Sequence, residues 1–383
     1  MKTFQCTCNH PLFFHNLRCL ACGADVAYDP TSHVLGALTA TDDGAWTIVR
    51  DVRQPAPRFR FCSQRSEAAV CNWLIPADET EIDCLSCRLT LAMPVLSRPK
   101  NPTRCGVLEG AKRDLLFSLQ SWGLPIDPKT DSDPGGLAFH FLESMPGALV
   151  LTGHAEGLIT INVAEADSDY REKNREALKE PYRTVLGHMR HEVGHYYWNV
   201  LIRDTEWQPR FRELFGNEAA DYGEALKRHY KDGVPADWAT RCISSYASAH
   251  PWEDWAETWA HYMHIRSTLQ TAASYGIDIT RARVLITPFP ADVLYKPESK
   301  QSQALLEWIN AWVILTAVLN ETARSMGQPD IYPFVLSRAV VTKLSFIHYV
   351  VAECAVEGQV QRISRRTLRV RRRFEKSAAR QAH

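Results

Sequence analysis

The residues best equipped for chemistry in this 383-residue chain are His191-Glu192-Val193-Gly194-His195, an H-E-x-x-H spacing. Residues four apart on a helix share one face, so both imidazoles can reach a single zinc ion. Glu192 projects beside them, where it can take a proton from a zinc-bound water and later protonate a leaving amine. Gly194 has no side chain and lets another element approach the helix closely. A hydrolytic zinc needs a third protein ligand and an open position. Three candidates follow in the chain: Glu218 in NEAAD, and Glu253 and Glu257 in HPWEDWAETWAHYMHI. On a helix Glu253, Glu257 and His264 fall on one face, with Trp252, Trp255 and Trp259 expected to pack the other as core. A lone histidine on an apolar helix is more often core than ligand, and His188 reads that way.

The cysteines carry a second chemistry. Eight of the eleven lie in the first 87 residues. Cys6 and Cys8, followed by Cys19 and Cys22 ahead of Gly23, have the spacing of a tetrahedral Zn–S4 site. Cys62, Cys71, Cys84 and Cys87 form a second quartet with only one Cys-x-x-Cys pair, so Cys62 and Cys71 also read as small buried hydrophobes. In a reducing compartment such clustering favours metal over disulfides. Cys105, Cys242 and Cys354 are scattered singly.

These groups need elements to hold them. HVLGALTA and WTIVR, divided by TDDG, read as two short strands, and residues 1–95 as a small β-rich module stapled by one or two zincs. PVLSRPKNPTR (94–104) has the composition of a linker. From about 105 to 356 the pattern is helical, interrupted by the alternating strand LITINVAEAD (158–167). EPYRTVLGHMRHEVGHYYWNVLI places apolar residues at 185, 186, 189, 193, 196, 197, 200 and 201, a helical stripe, with Pro181 near its start. Pro251 opens a second helix with acids in its first turn. The expected fold is α+β, a zinc-ribbon module followed by a mostly helical domain with a short antiparallel sheet beside the active helix.

HEVGH followed by E-x-x-A-E on a later helix resembles the gluzincin metallopeptidases, in which the first Glu of the later motif binds zinc. SYASAHPWEDWAETWAHYMH is similar to the zinc-site helix of the lethal-factor-type branch, where a Tyr seven residues before the ligand Glu stabilises the oxyanion. That resemblance implies Glu253 as ligand, Tyr246 as oxyanion donor and Glu257 as the carboxylate orienting a ligand histidine, or as the alternative ligand. More broadly, CNWLIPADE, LTGHAEGLITINVAEAD, EPYRTVLGHMRHEVGHYYW, HPWEDWAETWAHY and MGQPDIYPFVLS resemble a bacterial family of zinc-binding metallopeptidases with an N-terminal zinc ribbon. The resemblance implies a zincin-type domain, peptide or protein substrates, and one catalytic zinc beside one or two structural ones.

Forty-four basic side chains balance 44 acidic ones, which argues against a whole-chain polyanion binder. No leader-like apolar run opens the chain, and ALLEWINAWVILTAVLN carries Glu307 and Asn310 and reads as too short and polar to span a bilayer. The expectation is a cytoplasmic protein without a transmembrane segment. Residues 357–383 read as a basic tail. Nine Lys or Arg face one acid over 359–383, enough to attract nucleic acid or an anionic surface by charge. The leading reading is a zinc-dependent peptidase whose ribbon presents the substrate or a protein partner. The alternative is a non-catalytic zinc-ribbon protein that binds nucleic acid or a partner, with HEVGH as a structural metal site.

Overall fold

The computed structural model describes residues 3–49, 55–178 and 180–355. The basic segment 359–383 lies outside the described residues. A two-stranded ribbon, β1 (Phe4–Gln5) and β2 (Pro11–Leu12), precedes a five-stranded antiparallel sheet. That sheet runs in chain order through β3 (Val26–Asp29), β4 (Val34–Ala40), β5 (Trp46–Ile48), β6 (Phe59–Phe61) and β7 (Leu74–Pro76). The β4–β5 turn is the TDDG expected from the sequence. Gly44 closes it at φ 80°, a conformation that costs glycine little.

After the short helix α1 (Leu85–Arg88) comes a four-stranded sheet, in the order β10-β11-β9-β8. Its strands are β8 (Thr90–Ala92), β9 (Ala138–Leu142), β10 (Gly153–Ala155) and β11 (Leu158–Asn162). Only β10 and β11 pair antiparallel; β9 runs parallel to both β8 and β11. The sheet is therefore mixed, not antiparallel, because long connections carry the chain back between β8, β9 and β11. LITIN is an inner strand, and β10 forms the edge beside the HEVGH helix.

The helices are α2 (Asn101–Ser121), α3 (Ser168–Ala177), α4 (Val185–Tyr197), α5 (Gln208–Phe215), α6 (Tyr222–Asp232), α7 (Trp238–Arg241), α8 (Pro251–Ser274) and α9 (Lys300–Ser325), with residues 338–355 also helical. The segment read as a linker is partly helix, since α2 starts at Asn101. Pro102 sits in its first turn, where the missing N–H leaves no bond unmade. α4 begins at Val185, not near Pro181, because the Thr184 hydroxyl caps it by accepting from Gly187 N–H at 2.9 Å. α9 is longer than the apolar stretch read from the sequence. Among the described residues it is the helix long and apolar enough, by length and composition, to cross a membrane; 28% of its most apolar window is buried. It packs against α8, burying Leu305, Ile309, Trp312 and Leu315.

α4 and α8 form the central pair. A Cβ at Gly194 would meet Ala256 Cα at 3.0 Å and Trp259 Cβ at 3.2 Å, so the glycine sets how closely the two helices cross. The Trp255 indole N–H donates to Gly194 C=O at 2.9 Å in the same crossing. The buried core is continuous from Cys6 and Phe14, through Phe117 of α2, to Val351.

Candidate active site

The α4–α8 crossing brings three ligand-type atoms together. His191 Nε2 and His195 Nε2 lie 3.2 Å apart, and Glu253 Oε2 is 3.0 Å from the first and 3.6 Å from the second. Donors about 2.0–2.1 Å from a zinc at tetrahedral angles stand about 3.3 Å from each other, so the triangle fits one face of a zinc site. Glu253 is 1% exposed, and its Oε2 has no hydrogen-bond partner among the described residues. A buried carboxylate oxygen facing two imidazoles without a proton donor is a strong demand for a cation.

The surrounding groups fix these donors. His191 Nδ1 is 2.7 Å from Glu257 Oε1, while Ser244 Oγ donates to Glu257 Oε2 at 2.6 Å. Glu257 thus grips the back of His191 and leaves Nε2 to face Glu253. Burial works against charge on both acids, yet the imidazole contacts hold Glu253 well below the usual carboxylate range and Glu257 down to about 2. Burial likewise opposes charge on His191, but Glu253 and Glu257 raise its pKa well above the ordinary histidine value. Taken together the pocket is built for positive charge.

Glu192 sits beside the triangle, 8% exposed, and accepts no hydrogen bond from the described residues. Burial raises its pKa, with His191 and His195 pulling the other way. Tyr246, half-buried, stacks obliquely on His191 with ring centroids 6.0 Å apart. The Tyr222 hydroxyl donates to Glu253 Oε1 at 2.7 Å. His154, on the edge strand β10, lies 6.1 Å from the His195 ring. Burial and then the charges of His195 and Lys129 lower its pKa to about 3, so it is neutral.

Several residues fall elsewhere than the sequence implies. Glu218 is taken up by Arg212 and Gln208, at 2.5 and 2.7 Å, and takes no part in the triangle. His264 shares a helix face with Glu253 but bonds Arg190 Nη1 at 2.6 Å, about three turns further along α8. Trp252 is not core packing on the far face; its ring lies 4.0 Å from that of His195. Trp255 and Trp259 are fully buried, as expected. His188 is only partly satisfied, with Nδ1 3.6 Å from Glu165 Oε2 and no hydrogen bond among the described residues. Sequence reasoning passed over Tyr222, Ser244 and His154. Tyr222 and His154 reach the site from α6 and β10, and no motif spacing links either to α4.

Both cysteine quartets assemble. In the first, Cys6–Cys22 and Cys8–Cys19 sulfurs are each 3.6 Å apart. In the second, Cys71 and Cys84 are 3.5 Å apart, and all four thiols are buried. These spacings are close to the roughly 3.8 Å edge of a Zn–S4 tetrahedron. Cys84 N–H donates to Cys62 Sγ at 3.3 Å and Trp73 N–H to Cys71 Sγ at 3.5 Å, bonds that favour thiolate. Cys62 and Cys71 therefore belong to a metal-type cluster and not to the apolar core alone. Among the described residues no cysteine is in a disulfide.

An α+β fold with two thiolate quartets and a third donor cluster on crossed helices defines a zinc-binding protein. Residues 101–350 match the family described as "Putative zinc-binding metallo-peptidase", and residues 3–98 match a zinc-ribbon domain. The chain belongs to that metallopeptidase family. Three uncharacterized proteins, one of Mycobacterium bovis and two of Mycobacterium tuberculosis strains, are each 40% identical to it over 370 residues. The alignments cover 96% of this chain and 100% of each relative. No solved structure matches the chain.

Proposed function

We propose that this protein is a gluzincin-like zinc peptidase in which His191, His195 and Glu253 hold the catalytic metal and the two cysteine quartets hold structural zincs. The observation that carries this reading is the convergence of His191 Nε2, His195 Nε2 and Glu253 Oε2 within 3.0–3.6 Å, beside a buried and unpaired Glu192. When bound there, zinc polarises a water and the scissile carbonyl, which lowers the barrier to hydrolysis near neutral pH.

The chain's own groups do the rest. Glu192 takes the proton of the attacking water on its carboxylate and passes it to the leaving amine nitrogen. Tyr246 turns its hydroxyl toward the carbonyl oxygen as negative charge builds there. Glu257, held by Ser244, keeps the His191 proton on Nδ1 so that Nε2 stays a lone-pair donor. An extended peptide is proposed to lie along the edge strand β10. Glu156 and Gly157, at φ 47° and 83°, make the two-residue turn between β10 and β11. In such a hairpin the closing pair Ala155–Leu158 exchanges ladder bonds, so the next pair, His154–Ile159, turns its backbone groups outward. The N–H and C=O of His154 then face a peptide laid on the free edge beside His195. Thiolate quartets require reducing surroundings, which is the ground for proposing a cytoplasmic location.

The test is metal content by elemental analysis of wild type and a His191→Ala/His195→Ala variant. Three zincs falling to two is the expected result. An unchanged count would remove the metal from HEVGH and the peptidase reading with it.

A further inference from the structure

Glu253 offers two oxygens, and the structure treats them differently. Oε2 faces the two imidazoles and has no donor among the described residues, whereas Oε1 accepts the Tyr222 hydroxyl at 2.7 Å. Tyr222 comes from the first turn of α6, a helix that buries only Ala225 and is capped by Asp221, whose side chain accepts from Glu224 N–H. Its ring is seated against His250 and Trp252, with centroids at 5.3 and 6.0 Å. His250 is in turn the N-cap of α8, accepting from Trp252 N–H at 3.1 Å, and its Nε2 lies 3.1 Å from Ala220 C=O. The ring thus packs on the same turn that presents Glu253, so the hydroxyl is delivered to Oε1 by both ends of one contact.

We propose that Tyr222 is a positioning residue for the metal site: by holding Oε1 it leaves Glu253 to bind through Oε2 alone. A carboxylate free to rotate would present Oε2 to the metal in only part of its orientations, weakening the bond to a catalytic zinc. This inference rests on the metal-site reading above.

Tyr222→Phe tests it on the full chain, since the ring that packs on His250 and Trp252 is kept and one hydroxyl is lost. The first readout is zinc affinity of the helical site by chelator competition, which needs no substrate. It is expected to weaken by about 10–100-fold, as for other partners that orient metal ligands. The second readout is turnover, with kcat lowered and KM little changed. Tyr246→Phe is the companion variant: Glu253 keeps its Tyr222 bond, so zinc affinity should stay at the wild-type value. Wild-type zinc affinity in Tyr222→Phe overturns the proposal, and so does an equal loss in Tyr246→Phe. If the wild type cleaves nothing, the peptidase reading fails, while the zinc comparison still decides the role of Tyr222.

Discussion

At His191 each ring nitrogen has its own acid: Nε2 faces Glu253 and Nδ1 faces Glu257. One turn of α8 separates the two carboxylates, and that turn decides which acid joins the donor triangle and which meets the back of the ring. The i, i+4 spacing of His191 and His195 was readable from sequence because helix geometry alone fixes it. Choosing Glu253 over Glu257 and Glu218 needed the resemblance carried by Tyr246. Tyr222 had no signal, since its approach from α6 depends on packing between segments about 30 residues apart in the chain (roughly 45 Å if helical throughout). Trp252 was misplaced for a related reason. Helical periodicity groups it with Trp255 and Trp259, yet at the first turn of α8 that side still overhangs α4 and meets His195. Among these residues Tyr246 makes the cleanest prediction at this scale. Tyr246→Phe should lower kcat by about 10²–10³-fold with KM nearly unchanged, because the hydroxyl acts on charge present only in the transition state. Steady-state kinetics on a cleaved peptide would check this, and a change confined to KM would assign the residue to substrate binding instead.

Among the elements, the crossing of α4 and α8 determines whether the three donors meet. Gly194 allows the helices to touch, and its added Cβ would press on backbone at Ala256, which cannot rotate away as a side chain can. Gly194→Ala should therefore destabilise the protein by about 1–3 kcal/mol, the usual cost of overpacking. Denaturant midpoints measure it, and an unchanged midpoint would mean that the crossing has slack. Behind the same crossing, Lys343 reaches from the 338–355 helix to the buried Asp254 and to Arg241 C=O, tying the first turn of α8 to that helix. The two helices were visible in the sequence as apolar stripes, but the sheet beside them was only half visible. Alternation in LITIN marks a strand without saying whether it lies at an edge or inside. Parallel pairing with β9 comes from chain connections that periodicity does not record.

Over the whole molecule, the ribbon and the helical region share one apolar core. Phe14 packs on Phe117 with centroids 4.9 Å apart, and Arg113 of α2 donates to Ala69 C=O at 3.0 Å, next to the second cysteine quartet. β8, within the first 95 residues, completes the sheet that carries His154. The α+β class and the zinc ribbon were legible because cysteine spacing is a local signal. The join between the two parts was not, since it is made by side chains distant in sequence. The most direct test of the central claim is cleavage of an unbiased peptide library by zinc-loaded wild type and by Glu192→Gln at equal zinc content. Hydrolysis by the wild type, falling by about 10²–10⁴-fold in the variant, is the predicted result. Equal cleavage by both proteins, or none by a fully loaded wild type, would contradict it.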